Sequence, residues 1–440
     1  MITLNMITVL MVAVSMFAFL STAKKGHELS PYFLLLFFGS GLLLRMVLGY
    51  HCLGYESDTA CFTGWADRVY SVGFGEFYSP DVFTDYPPGY MYVLYILGMI
   101  RSVFEIPTYS GIHLMMTKMP AIICDVICSY IIYHEAKRHF PFQSQAMIIS
   151  SVYLFNPAVI LNSSVWGQVD SIYALGIILL CLFITNGKLI PAYITFGIGV
   201  LVKPQTLIFT PILIAGIIDY VFLQGFDVKN FFRNLFSGLA VIFGMFLAIL
   251  PFGLENVLAQ YFDTLESYPY ISLYAFNVWT LFGKNLASQY DMLLFLSYKN
   301  WGTIFLICIV ILTLVLSILL GKNNNKKYFA LAAFLILSVF HFSVRMHERY
   351  MYVALILVLF CYLYKPIKPL FICYVGLSVF HWYNTGFVLL FDPSTSPDNG
   401  ETALSLISAG NVFFLIMFYF ILLRYYLKET GYVKSKKTAK

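Results

Sequence analysis

The chain has 440 residues, 60% of them hydrophobic and 11% charged, with a formal net charge of +5. Soluble domains carry about 25% charged residues, so an ordinary soluble fold is excluded. The charges fall in short segments between apolar runs long enough to cross a bilayer as helices. The alternation of a membrane β-barrel is absent, which leaves an all-α polytopic membrane protein.

Taken in chain order, the predicted spans cover 2–22, 31–50, 113–134, 144–161, 170–186, 189–202, 204–223, 234–252, 301–321, 328–345, 350–364, 369–385 and 403–426, about thirteen in all. The first lacks a basic leader and a small-residue cleavage site, and reads as a retained helix rather than a signal peptide. Basic groups recur at alternate connections: Lys24-Lys25, Lys137-Arg138, Lys188, Lys229 with Arg233, Lys322 with Lys326-Lys327, Lys365 with Lys368, and the tail at 427–440. The positive-inside bias puts these in the cytoplasm. The N-terminus is then outside, the C-terminus inside, and the basic tail lies against anionic lipid rather than nucleic acid. The run 88–104 would reverse this parity if it crossed. It therefore reads as a re-entrant or interfacial helix on the outer face, with Tyr90, Tyr92 and Tyr95 suited to an interface. It belongs to a long first outer loop, 51–112, and a second outer loop spans 253–300.

Among eight cysteines no zinc spacing occurs, and neither a Walker loop nor a dinucleotide fingerprint is present; no metal or cofactor is expected. Cys52 and Cys61 share the first loop and are open to pairing or to staying free. Cys124 and Cys128 share a helix face, where packing is the simpler account.

Chemistry is expected where charge defies the apolar surroundings. In the first loop, Asp58 lies soon after a span and could act as general base toward a hydroxyl, or be a solvated loop acid; Asp67 is the reserve. Asp85 precedes Tyr86-Pro87-Pro88, whose prolines fix the backbone, and it reads as an anchor. The segment "SSVWGQVDS" brings Trp166, Gln168 and Asp170 together at an outer helix end, a set suited to sugar, or to an interfacial Trp beside a helix N-cap. Lys203, in "LVKPQ", is either a phosphate contact or a snorkelling lysine. In "RMHERY", Arg345, His347 and Arg349 face only one acid, Glu348. That excess implies an anionic partner such as a lipid phosphate, which Arg binds through its planar fork. A carboxylate, several bases and a membrane groove together suggest a lipid-phosphate sugar donor and a hydroxyl acceptor, joined by single displacement.

With these segments in order, the sequence resembles GT-C fold membrane glycosyltransferases that use polyprenyl-phosphate sugars. It is most like bacterial mannosyltransferases related to the GPI mannosyltransferases, and is similar to the endoplasmic-reticulum dolichyl-phosphate-glucose glucosyltransferases. The resemblance runs over about residues 50–355: Asp58 to Trp65, "DYPP" at Asp85 to Pro88, Lys118 with Asp125, Gln168, "KPQ" at Lys203 for the family's "KQM", "FNVW" at Phe276 to Trp279 for "YNLW", and "HER" at His347 to Arg349 for "HEK". It implies a GT-C-like bundle forming one glycosyltransferase domain over 1–440. It also implies a catalytic Asp58, donor-phosphate contacts at His347 and Arg349 and at Lys203, a polyprenyl-phosphate-linked hexose as donor, and a glycan, glycolipid or protein as acceptor. Trp-Gly-Gln-Val-Asp stands where the reticulum enzymes have His and Phe-Gln-Tyr-Asn, so the sugar does not carry over. A lipid-linked-sugar carrier and a surface-polysaccharide polymerase are the competing readings.

Overall fold

The computed structural model describes residues 29–266, 268–321, 324, 326–390 and 401–428. The predicted span at 2–22 and the tail beyond residue 428 lie outside them. The helices are α1 Pro31–His51, α2 Glu56–Val72, α3 Pro88–Val103, α4 Gly111–His139, α5 Gln143–Leu154, α6 Pro157–Trp166, α7 Asp170–Thr185, α8 Leu189–Val202, α9 Pro204–Leu223, α10 Val228–Phe252 and α11 Leu254–Glu266. A single turn, α12 Val278–Leu281, follows, then α13 Tyr298–Leu319, α14 Lys327–Phe342, α15 Tyr352–Tyr364, α16 Lys368–Leu390 and α17 Leu404–Leu427. Strands are two residues each, so the chain is an all-α polytopic membrane protein.

Six of these helices, α1, α4, α9, α10, α13 and α17, are long and apolar enough to cross a membrane, and α5 with α6, bent by 44°, would make a seventh. Thirteen crossings are therefore not reached by length and composition alone. The shortfall lies chiefly in four shorter apolar helices, α7, α8, α14 and α15. α14 is buried along its whole face from Lys327 to His341, and α15 nearly so. Helices that are apolar all round belong at the centre of a bundle. α10 is the opposite case: within Val228–Ile249 only Asn234 is buried, as on a lipid-facing rim.

The first outer loop is folded. Besides α3, at the expected place, it contains α2, which the sequence reading took for loop because its overall hydropathy is low. The signal lay in the spacing of Thr59, Phe62, Thr63, Ala66 and Val69, all buried, which traces one helical face. That face packs on α3, and Arg101 Nη1 meets Asp67 Oδ2 at 2.8 Å across the joint. The reserve candidate Asp67 is thus a clasp between these two helices.

The segment from Ile271 through the single turn α12 enters the bundle. Ser272 and Leu273 pair in parallel with Met346 and His347. The "FNVW" stretch is anchored from every side. Asn277 Oδ1 accepts from the Trp279 and Thr280 amides at 3.0 and 3.1 Å, and its Nδ2 donates to Phe340 O at 3.1 Å. The Phe276 amide donates to Asn384 Oδ1 at 2.9 Å, and Asn411 Nδ2 donates to Phe276 O at 2.9 Å. The motif is a staple that fixes the strand on which His347 sits. Asn277→Ala removes a helix cap and leaves buried backbone groups unpaired, for an expected loss of about 1–2 kcal/mol. Thermal unfolding in detergent reads this as a lowered midpoint; an unchanged midpoint would remove the staple role.

Candidate functional site

The four short helices all stop at the residues singled out above. α7 begins at Asp170, α8 ends at Val202 before Lys203, α14 ends at Phe342 shortly before Arg345, and α15 begins at Tyr352 after Arg349. With 13 to 16 residues each, they are roughly 20–24 Å long at 1.5 Å per residue, against a hydrocarbon layer of about 30 Å. Their ends form the floor of a recess, and the polar segments between them fill it.

Asp58 stands in the first turn of α2. Its Oδ2 accepts from Trp166 Nε1 at 2.7 Å and from Gln168 Nε2. The side chain stays a quarter exposed, so one carboxylate oxygen is fixed and the other is left for a ligand. The cradle depends on close backbone contact. Gly54 has φ +90°, and a Cβ there would lie 2.3 Å from Trp166 O; Gly167, at φ +96°, lets the chain turn after Trp166. Lys118, buried at 2% exposure, ties the two segments together by donating to Cys52 O and to Val165 O at 3.0 Å. Cys52 and Cys61 are free thiols, as are Cys124 and Cys128. Asp125, seven residues beyond Lys118, lies deeper: it pairs with Arg45 at 3.3 Å and accepts from Tyr352 OH at 2.9 Å.

Arg349 lies across from Asp58. Its Nη1 is 2.8 Å from Glu348 Oε1 and 3.9 Å from Asp58 Oδ2, and its guanidinium sits 5.7 Å from the centre of the Trp166 ring. Burial works against its charge, but Glu348, Asp58 and Asp170 outweigh it and keep the group charged. Its Nε is buried without a hydrogen-bond partner. Burial pushes the Glu348 carboxyl up, against the pull of Arg349. His347 is driven well below the usual imidazole range by burial and by the charges of Arg349 and Lys203. It is neutral at pH 7 and offers an N–H, not a charge.

Three expectations change. Lys203 is buried and its ammonium is paired with Asp170, which also accepts from Asn162 Nδ2 at 3.2 Å; Asp170 is therefore an ion-pair partner rather than a helix cap. Arg345, at φ 61°, has its amide bonded to Tyr270 O and Ile271 O, and its Nε donates to Gln289 Oε1 at 2.9 Å; it serves the strand junction. The cationic excess inferred from "RMHERY" also disappears on assembly. Asp58, Asp85, Asp170 and Glu348 surround Lys203 and Arg349, and Arg349 keeps a buried Nε–H with no hydrogen-bond partner among the described residues. Asp85 accepts from Tyr268 OH at 3.4 Å, and the Tyr268 ring is 5.1 Å from that of His347. Burial raises the Asp85 carboxyl, with Arg349 opposing.

Tyr268, Tyr350 and Gln205, whose Nε2 donates to Tyr350 OH at 3.1 Å, were missed by sequence reasoning. Gln205 and Tyr350 lie inside "KPQ" and "RMHERY" but carried no role in that reading, and nothing in its local pattern marks Tyr268, since loop tyrosines are common in so aromatic a chain. No group of three or more His, Cys, Asp or Glu among the described residues is arranged to hold a metal ion.

Residues 83–344, more than half of the chain, match the family described as Glycosyltransferase family 87. The match takes in Asp85, Trp166, Gln168, Asp170 and Lys203, begins after Asp58 and ends just before Arg345. No curated protein matches the chain.

His347 provides a test of the electrostatics. Its folded value lies below the unfolded 6.5, so acidification protonates the unfolded chain first. Stability is expected to fall as pH drops through 6.5 toward the folded value. In a thermal series from pH 7.5 to 5, His347→Gln should flatten part of that decline; an identical slope in the variant would mean that His347 is not buried as a neutral ring.

Proposed function

The chain belongs to glycosyltransferase family 87, and we propose that it transfers a hexosyl group, mannosyl or glucosyl, from a polyprenyl-monophosphate donor to a hydroxyl acceptor with inversion. The observation that carries this reading is the opposition of Asp58 and Arg349 in a recess at the ends of short apolar helices. The free oxygen of Asp58 takes the proton of the acceptor hydroxyl as its oxygen attacks the anomeric carbon. The bond from that carbon to phosphate oxygen breaks, and the bonding pair leaves on polyprenyl phosphate. Arg349 meets the growing charge. His347 adds an N–H, and Glu348 holds the guanidinium in place.

An apolar groove of about 480 Å³ supports a lipid-linked donor. It runs along α8, α9 and α10 past Phe196, Gly197 and Met245, and reaches Val200 and Leu207, which flank Lys203. An isoprenoid tail lying there would present its phosphate at the recess. The acceptor is a glycan, a glycolipid or a protein. The site faces the outside of the cell membrane, with the N-terminus outside and the C-terminus cytoplasmic, on the strength of the Lys and Arg distribution.

Asp58→Asn should lower turnover by about 100- to 10,000-fold and leave donor affinity near normal; a near-normal rate would exclude Asp58 as the base. Truncating Arg349 alone would strand Glu348, so the informative variant is Arg349→Ala with Glu348→Gln. It should unfold at a temperature close to wild type yet bind polyprenyl phosphate far more weakly. Retained affinity would make the pair scaffolding. For orientation, cysteines introduced at Lys137 and Ser57 should label from opposite sides of the membrane; labelling from one side would overturn the topology.

A further inference from the structure

A cavity of about 70 Å³ lies between the 78–87 segment, the start of α9 and α11, with Asp85, which feels the charges of Arg349 and Asp58, in its wall. Asp85 and Tyr86 form one wall, Pro204 another, and Tyr78, Val257 and Tyr261 complete it. Its volume is about five times the minimum one water needs, a scale that suits a ring bearing several hydroxyls. The lining is three tyrosines, two prolines and Val257 with one carboxylate, Asp85, and one amide, Gln260, as in pockets where apolar faces supply contact and a few polar groups fix orientation.

The polar groups are disposed for recognition. The Asp85 carboxylate accepts a long bond from Tyr268 OH at 3.4 Å and one from its own backbone N–H, and with about four lone-pair sites it retains capacity for neighbouring donors. The Tyr78 hydroxyl is committed to Tyr86 O at 2.9 Å, which sets that wall. The Tyr261 hydroxyl has no hydrogen-bond partner among the described residues. Tyr268 links the cavity to the reacting centre: its hydroxyl is on Asp85 and its ring is against His347, two residues from Arg349. Pro204 makes the same link from the other side, as the neighbour of Lys203.

We propose that this cavity is the subsite for the pyranose ring of the donor, with Asp85 accepting hydrogen bonds from adjacent ring hydroxyls and Tyr261 closing over the ring. The inference rests on the donor reading above and adds the residues that read the sugar. A donor ring rather than an acceptor ring follows from position: the cavity adjoins the Tyr268–His347–Arg349 side, where the phosphate is held. The charge of Arg349 also acts on Asp85 more strongly than that of Asp58. The "DYPP" rigidity then has a purpose, since the prolines hold a sugar-reading carboxylate at a fixed angle.

The test is binding of three probes to the purified full chain: farnesyl phosphate, farnesyl-phosphate-mannose and farnesyl-phosphate-glucose. Wild type should bind one sugar-bearing probe more tightly than farnesyl phosphate. Asp85→Ala and, separately, Tyr261→Ala should weaken that probe by about 10- to 100-fold while farnesyl phosphate binds as before. Tyr261 lies on the outer wall, so its variant keeps the test decisive if Asp85→Ala fails to fold. Equal weakening of all probes, or no weakening, would overturn the subsite. Unchanged binding of the sugar-bearing probe with an impaired transfer step would assign the cavity to the acceptor and overturn the donor placement. If wild type binds none of the probes, the donor reading itself fails and this inference falls with it.

Discussion

Where a chain stops being helical within a hydrocarbon layer, its N–H and C=O groups must find partners inside the protein, because the lipid offers none. Four of the apolar helices stop early, and each leaves such an end in the recess. The polar inventory of the site answers this need before it answers any chemical one. Lys118 takes up two carbonyls, Asn277 a cap and a carbonyl, and Asn384 and Asn411 the two sides of Phe276. Parallel pairing of 272–273 with 346–347 satisfies the remaining strand. Recessed helix ends, re-entrant segments and clustered ionisable groups are therefore consequences of one geometry. A functional reading of any single polar residue has to show capacity left over after the backbone is satisfied.

By that criterion the ionisable groups separate. Arg345, Lys118 and Asp67 are spent on structure, and Lys203 and Asp170 on each other. Asp58 retains an oxygen, Arg349 retains its Nε, and Asp85 has one long side-chain bond beside its own backbone N–H. The site carries more acids than bases, so under the proposed reading a phosphate would be held not by net positive charge but by one well-placed guanidinium, fixed by Glu348 and backed by the Trp166 ring, whose face favours a cation. Trp166 thus serves both sides of the site: its indole N–H fixes the Asp58 carboxylate and its ring lies beside the Arg349 guanidinium.

Much of this was legible in the sequence and some was not, for physical reasons. Composition and span length announced an α-helical membrane protein, since bilayer thickness sets a length scale that any sequence shows. The segments around Asp58, Trp166, Lys203 and "HER" were marked by charge and aromatic residues in apolar surroundings, and the fold brings them into one recess. Helix α2 was hidden because its burying face is half threonine and alanine. The partners of Lys203 and Arg345 were hidden because Asp170 is 33 residues away and Gln289 is 56, and a side-chain contact over such separations leaves no local pattern. Counting charges within "RMHERY" gave the wrong sign for the site because the acids that offset it come from three other segments.

The shortness of the helices also bears on how a lipid-borne sugar would meet a base. A substrate anchored by its tail keeps its headgroup near the membrane surface, and a site above that surface would require the lipid to be lifted out. Ending four helices early lowers the Asp58 carboxylate toward the headgroup instead. The cost falls on the protein, which must place Asp58, Asp170 and Glu348 where water is scarce. Each is stabilised by fixed donors or by a paired cation rather than by solvent. Such preorganised groups need little rearrangement when charge moves from a hydroxyl to a phosphate. The geometry that makes the polar cluster expensive to fold is thus the geometry that brings it to an anchored substrate.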